Sequence, residues 1–102
     1  MKQTEQVLRD LVRQWITKAE IDFRTADRLI QDSDPIRESI AFHCQQAVEK
    51  YVKAFLVRHQ REFPKTHDLD LLLTLVVSVS AELSKILENE RSTKSLCAPA
   101  LR

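Results

Sequence analysis

An all-α fold is what this chain predicts: an antiparallel up-and-down bundle of three long helices, ending in an irregular or short helical tail. Three observations carry that expectation. The 102 residues include no glycine and only three prolines, so the positive-φ positions of tight hairpins lack their usual residue. Alanine, leucine, glutamate, lysine, arginine and glutamine dominate, and these are strong helix formers. Apolar residues also recur at three- and four-residue steps through most of the chain, the period of a helix with one buried face.

The length fits one domain, read here as residues 1–90, with 91–102 as a tail where periodicity stops. A chain of this size removes roughly 60–65% of its unfolded surface on folding, a thin core. Net charge is +1 with 30% charged residues, a solvated surface without the basic excess of a general duplex binder. A pocket for one phosphate or nucleotide needs no such excess. Cys44 and Cys97 make no metal spacing, and two such thiols are expected to stay reduced in a cytosol. The longest apolar run, Leu71 to Val79, is broken by Thr74 and Ser78 and falls short of the roughly 20 residues of a membrane span. The expectation is a cytoplasmic protein without membrane contact. With no glycine there is no phosphate-cradling loop and no dinucleotide fingerprint, and nothing has zinc spacing, so neither cofactor nor metal is expected.

The first helix is expected from about Thr4 to Gln31, with Leu8, Leu11, Trp15, Ala19, Ala26 and Leu29 on one stripe. Asp22 falls on that stripe and admits two readings, an edge carboxylate that reaches solvent or a buried acid paired across the bundle. The cost of an unpaired buried carboxylate favours the first. Asp34 is placed to cap the second helix, with Pro35 at its first position and Glu38 favourable to the dipole. That helix runs to about His59 or Gln60. Pro64 keeps the following loop out of helix, Thr66 or Asp68 can cap the third helix, and that helix extends from about His67 to Glu90. Its main face is Leu69, Leu72, Leu73, Val76, Leu83, Ile86 and Leu87. Leu71, Leu75 and Val79 widen the apolar arc beyond what two neighbours readily cover.

Projecting the second helix at about 100° per residue separates two arcs. Ile36, Ile40, Ala47, Val48, Tyr51, Val52, Ala54 and Phe55 form the side expected to face the bundle. His43, Gln45, Gln46, Glu49, Lys50 and Lys53 form the opposite side, expected to face outward. Phe42 and Leu56 interrupt that polar side, which makes it resemble a contact surface more than open solvent. His43, Gln46, Lys50 and Lys53 are therefore the candidate binding residues. Arg61 and His67, with five residues between them, are the tentative catalytic pair, since a histidine can move a proton while an arginine stabilises phosphate charge. A structural role for His67 beside the Asp68 cap is the simpler reading.

The string Ala41–Leu56, AFHCQQAVEKYVKAFL, and the later Phe63–Leu69, FPKTHDL, carry a family resemblance. With Trp15, Ala19, Asp22 and Ala26 before them, they resemble the HEPN domain family, small helical domains of suspected nucleotide binding, in its minimal stand-alone prokaryotic type. The resemblance covers roughly Trp15 to Leu75. It implies a helical bundle that is commonly a homodimer and often encoded beside a small nucleotidyltransferase, the two acting as a toxin–antitoxin pair. Catalytic members are metal-independent RNases with an arginine and a histidine a few residues apart on a late helix. Here no later helix of that kind is recognisable. Arg61 and His67 match the spacing but not the place, so RNase activity is not carried over, and a C-terminal shortening is expected. The resulting expectation is a nucleotide- or partner-binding module working with a nucleotidyltransferase. The alternatives are an RNase toxin acting on RNA and an inactive shortened paralogue.

Overall fold

The structure, a computed structural model, describes residues 4–91, without the side chains of 86, 87 and 89–91. Three helices make it up: α1 (Glu5–Ile30), α2 (Arg37–Arg58) and α3 (Leu69–Arg91). The tail expected from residue 91, and with it the expected shortening and Cys97, lies beyond these apart from its first residue.

α1 starts where Thr4, in extended backbone, accepts the Val7 N–H on its hydroxyl at 3.2 Å. Glu5 in the first turn and Arg28 in the last complement the helix dipole. The next turn departs from expectation. Asp32 Oδ1 accepts the Asp34 N–H at 3.1 Å, so an Asx turn takes up the residue expected to cap α2. Pro35 and Ile36 then stay outside the helix. Ile36 holds the cap position with φ −89° and ψ 99° and offers no side-chain hydrogen bond.

The end of α2 shows how a chain without glycine stops a helix. Gln60 takes φ 52°, while the Arg61 N–H bonds Leu56 O and the Gln60 N–H bonds Val57 O, both at 2.9 Å. This is a Schellman closure with glutamine where glycine is usual. A Cβ in left-handed backbone costs roughly 1–2 kcal/mol. Gln60→Gly is therefore expected to be more stable than Gln60→Ala, which lacks the same side chain, by about 0.5–1 kcal/mol after the entropy of the freer unfolded chain is deducted, seen as a higher melting midpoint. At the other end of the loop Asp68 caps α3, its Oδ1 accepting the Leu71 N–H at 3.2 Å.

α1 and α2 pack antiparallel along most of their length, so that Asp22 of α1 meets His43 and Lys50 of α2. Their seam is made of alanines. Ala19 and Ala26 on α1 and Ala47 and Ala54 on α2 are all buried, and each pair is spaced one heptad apart, which lets the two backbones approach closely. A second cluster joins α2 to α3: Leu56, Leu72 and Val79 are its centre, with Val52, Phe55, Phe63, Leu75, Val76 and Leu83 packed against it. Among the described residues α3 packs on α2 and not on α1. Leu73, expected on its main buried face, is exposed together with Leu71 and Val77, whereas Val79 of the wider arc is buried. The single-neighbour docking of α3 is the reason: one partner helix covers only one strip. None of the described helices is long and apolar enough to cross a membrane.

Candidate functional site

Part of the polar side of α2 points inward. Glu49 is 1% and Lys53 6% exposed, while Val48 and Tyr51 of the apolar side are exposed, as are Phe42 and Gln45 of the polar side. The outward presentation expected for His43, Gln46, Lys50 and Lys53 is thus corrected: Lys53 is buried, and His43, Gln46 and Lys50 are half-buried. The burial follows from what α1 and the loop bring opposite. Beside the alanine seam, Asp22 receives Lys50, and the Trp15 and Phe63 rings receive Lys53.

Two carboxylate-centred clusters result. In the first, Asp22 Oδ1 lies 2.9 Å from His43 Nδ1, and Asp22 Oδ2 accepts from the Lys50 ammonium. Asp22 is the buried acid paired across the bundle, the reading that the cost of burial had disfavoured; two partners from α2 remove that cost. Burial by itself would raise the Asp22 carboxyl, but the hydrogen bonds from Lys50 and His43, with their charge, outweigh it and hold it below the usual 3.8. Engaging Nδ1 of His43 leaves its Nε2 directed elsewhere. A carboxylate holding one ring nitrogen is how an imidazole is oriented for proton transfer; here the second cation on the same carboxylate makes the group a structural clamp first. The Phe42 ring stands edge-on to His43 with centroids 5.3 Å apart.

In the second cluster Glu49 Oε1 accepts from Lys53 Nζ at 3.4 Å and faces His67 Nδ1 at 2.6 Å. Glu49 Oε2 is buried and has no hydrogen-bond partner among the described residues. The Lys53 ammonium also lies 5.3 Å from the Trp15 ring centroid and 6.0 Å from that of Phe63, within cation–π range. The two rings meet edge to face at 6.4 Å. Lys53 is therefore enclosed by one carboxylate and two aromatic faces.

Arg61 and His67 are held by different helices. Arg61 Nη2 donates to Ser78 Oγ at 3.2 Å, and its Nη1 lies 3.9 Å from Glu82 Oε1, both on α3. His67 turns to Glu49 on α2. The loop doubles back between them, from the end of α2 to the level of Glu49, about 13 Å along the helix. The pair was only a tentative catalytic reading beside the simpler structural one for His67, and in the structure each residue ties the loop to a helix. The partner roles of Trp15 and Glu49 went unread in the sequence, although one signal existed: Leu56, lying on the polar arc, is fully buried, and an arc containing a core leucine faces protein.

A helical bundle whose central helix takes part in two acid–lysine–histidine clusters, each centred on a buried carboxylate, is thus the class that fold and site define. The family model described as HEPN domain matches residues 12–96, and the chain belongs to the HEPN domain family. The comparison with curated proteins and that with solved structures gave no match.

Proposed function

We propose that this HEPN domain is a non-catalytic binding module that forms a homodimer and works with a small nucleotidyltransferase, in a pair of the toxin–antitoxin kind. The observation that carries the reading is the uncovered apolar surface. α3 rests on α2 alone among the described residues, leaving Leu71, Leu73 and Val77 exposed, the last at 67%, while Val48 and Tyr51 of α2 are exposed as well. Large exposed apolar side chains on neighbouring helices support a protein contact. His43 and Lys50 then serve the module from within, by tying α2 to Asp22 of α1 so that Val48 and Tyr51 stay exposed.

Light scattering during size exclusion tests it. The chain, 11.9 kDa as a monomer, is expected to elute as a dimer at micromolar concentration, and Val77→Glu together with Tyr51→Glu is expected to yield folded monomer. Co-expression with a small nucleotidyltransferase encoded beside it is expected to give a complex that survives purification and is lost in the same variant. A wild-type chain that stays monomeric and forms no such complex would sink the proposal.

A further inference from the structure

A groove of about 380 Å³ lies between the first half of α1 and the C-terminal end of α2, away from both charged clusters. Its floor is a strip of Leu8, Val12 and Ile16, buried to half-buried and spaced four residues apart. Its rim carries Arg9 and Arg13 from the next strip of α1 and Arg58 from the last turn of α2, with Glu5 as the one opposing charge. Arg9 and Arg13 are one helical turn apart, about 6 Å along the axis.

The rim is not neutralised internally. Arg9 reaches Glu5 at 3.7 Å with both side chains largely exposed, a weak pairing that water and salt screen. Neither Arg13 nor Arg58 has a hydrogen-bond or ion-pair partner among the described residues. Three guanidiniums against one carboxylate leave two positive charges over an apolar floor, in a chain whose total is +1. The volume is that of a small-ligand pocket, and such pockets combine an apolar lining with a few convergent polar groups. Guanidinium forks match phosphate oxygens in pairs.

From this geometry we infer that the groove binds a small phosphate monoester whose body is flat or apolar, the dianion meeting Arg9, Arg13 and Arg58 while the body covers Leu8, Val12 and Ile16. Charge complementarity selects the dianion over a neutral aromatic, and the floor selects an ester over bare phosphate. Glu5 opposes the ligand, so its removal strengthens binding.

Titration of the full ¹⁵N-labelled chain with phenyl phosphate, inorganic phosphate and phenol, followed by amide shifts, tests this. Phenyl phosphate is expected to move amides of residues 5–16 and 56–60 and to bind more tightly than either fragment. Arg13→Ala with Arg58→Ala is expected to weaken it roughly tenfold or more, and Glu5→Gln to tighten it about two- to fivefold. Circular dichroism melts of the variants, all at exposed positions, confirm that they remain folded. A nucleoside monophosphate binding through the same amides would name the base as the flat body; weaker binding than phenyl phosphate would favour a non-nucleotide ester. Shifts confined to the His43–Lys50 region, equal binding of phenol, or indifference to the arginine pair would overturn the assignment.

Discussion

Lys53→Met is expected to destabilise the domain by about 3–5 kcal/mol, the penalty for leaving one member of a buried ion pair behind. Glu49 would keep only the His67 contact, with its second oxygen already unpartnered in the interior. Against a total stability of roughly 5–10 kcal/mol for a domain of this size, the variant would be close to unfolding at body temperature. Guanidinium denaturation reads the loss as a lower midpoint at similar slope. The paired change Glu49→Leu with Lys53→Met is expected to recover most of it, because a buried ion pair replaced by apolar groups of similar volume is often neutral or better. The Trp15 and Phe63 rings that now face the ammonium would face a thioether instead, which also packs well on aromatics. A Lys53→Met protein within 0.5 kcal/mol of wild type would mean that this lysine stands in solvent after all.

The second large effect belongs to Asp22. Asp22→Ala strands Lys50 and His43 in a half-buried site and is expected to cost about 2–3 kcal/mol at neutral pH. Asp22→Asn keeps the shape and removes the charge, and its signature is the pH profile. The folded-state pKa of Asp22 is lowered from 3.8. Its contribution is therefore fully present above that value and lost as pH falls through the lower folded pKa. Denaturation of wild type and Asp22→Asn at a series of pH values should show a stability gap that narrows as pH falls below about 4. A gap that does not change with pH would show that the carboxylate charge contributes nothing and only its shape matters.

How much of this could be seen in the sequence differs between the helices. α1 was legible because its partner lies on one side: Leu8, Trp15, Ala19 and Ala26 fall on one strip and are buried or half-buried there. α2 was legible as a helix but not in its orientation. Periodicity ranks residues by polarity, and it sent Glu49 and Lys53 to water. Nothing local to α2 reveals that Asp22, Trp15 and Phe63 converge on it from elsewhere in the chain. Ala47 and Ala54 were placed on the side facing the bundle and are buried there; what was missed is that Glu49 and Lys53 are buried as well. In α3 the wider arc divides: Leu71 is exposed as an under-covered arc would be, Leu75 is half-buried and Val79 is buried, while Leu73 of the expected main face is exposed, because α3 has one neighbouring helix among the described residues and not two. In the candidate site, the structural role preferred for His67 agrees with its contact to Glu49, though the partner could not be read from the sequence; Arg61 and His67 are close in sequence yet reach toward different helices, with the left-handed turn at Gln60 and the doubling back of the loop between them.

The two acid clusters depend on different parts of the chain. Asp22, His43 and Lys50 all belong to the α1–α2 hairpin, whereas Glu49 receives His67 from the strand of loop that leads into α3. Peeling away the third helix would thus wet one carboxylate and leave its neighbour dry. The molecule has an inner fastening that outlasts an outer one, and a partner that grips the outer helix would act on the second without loosening the first.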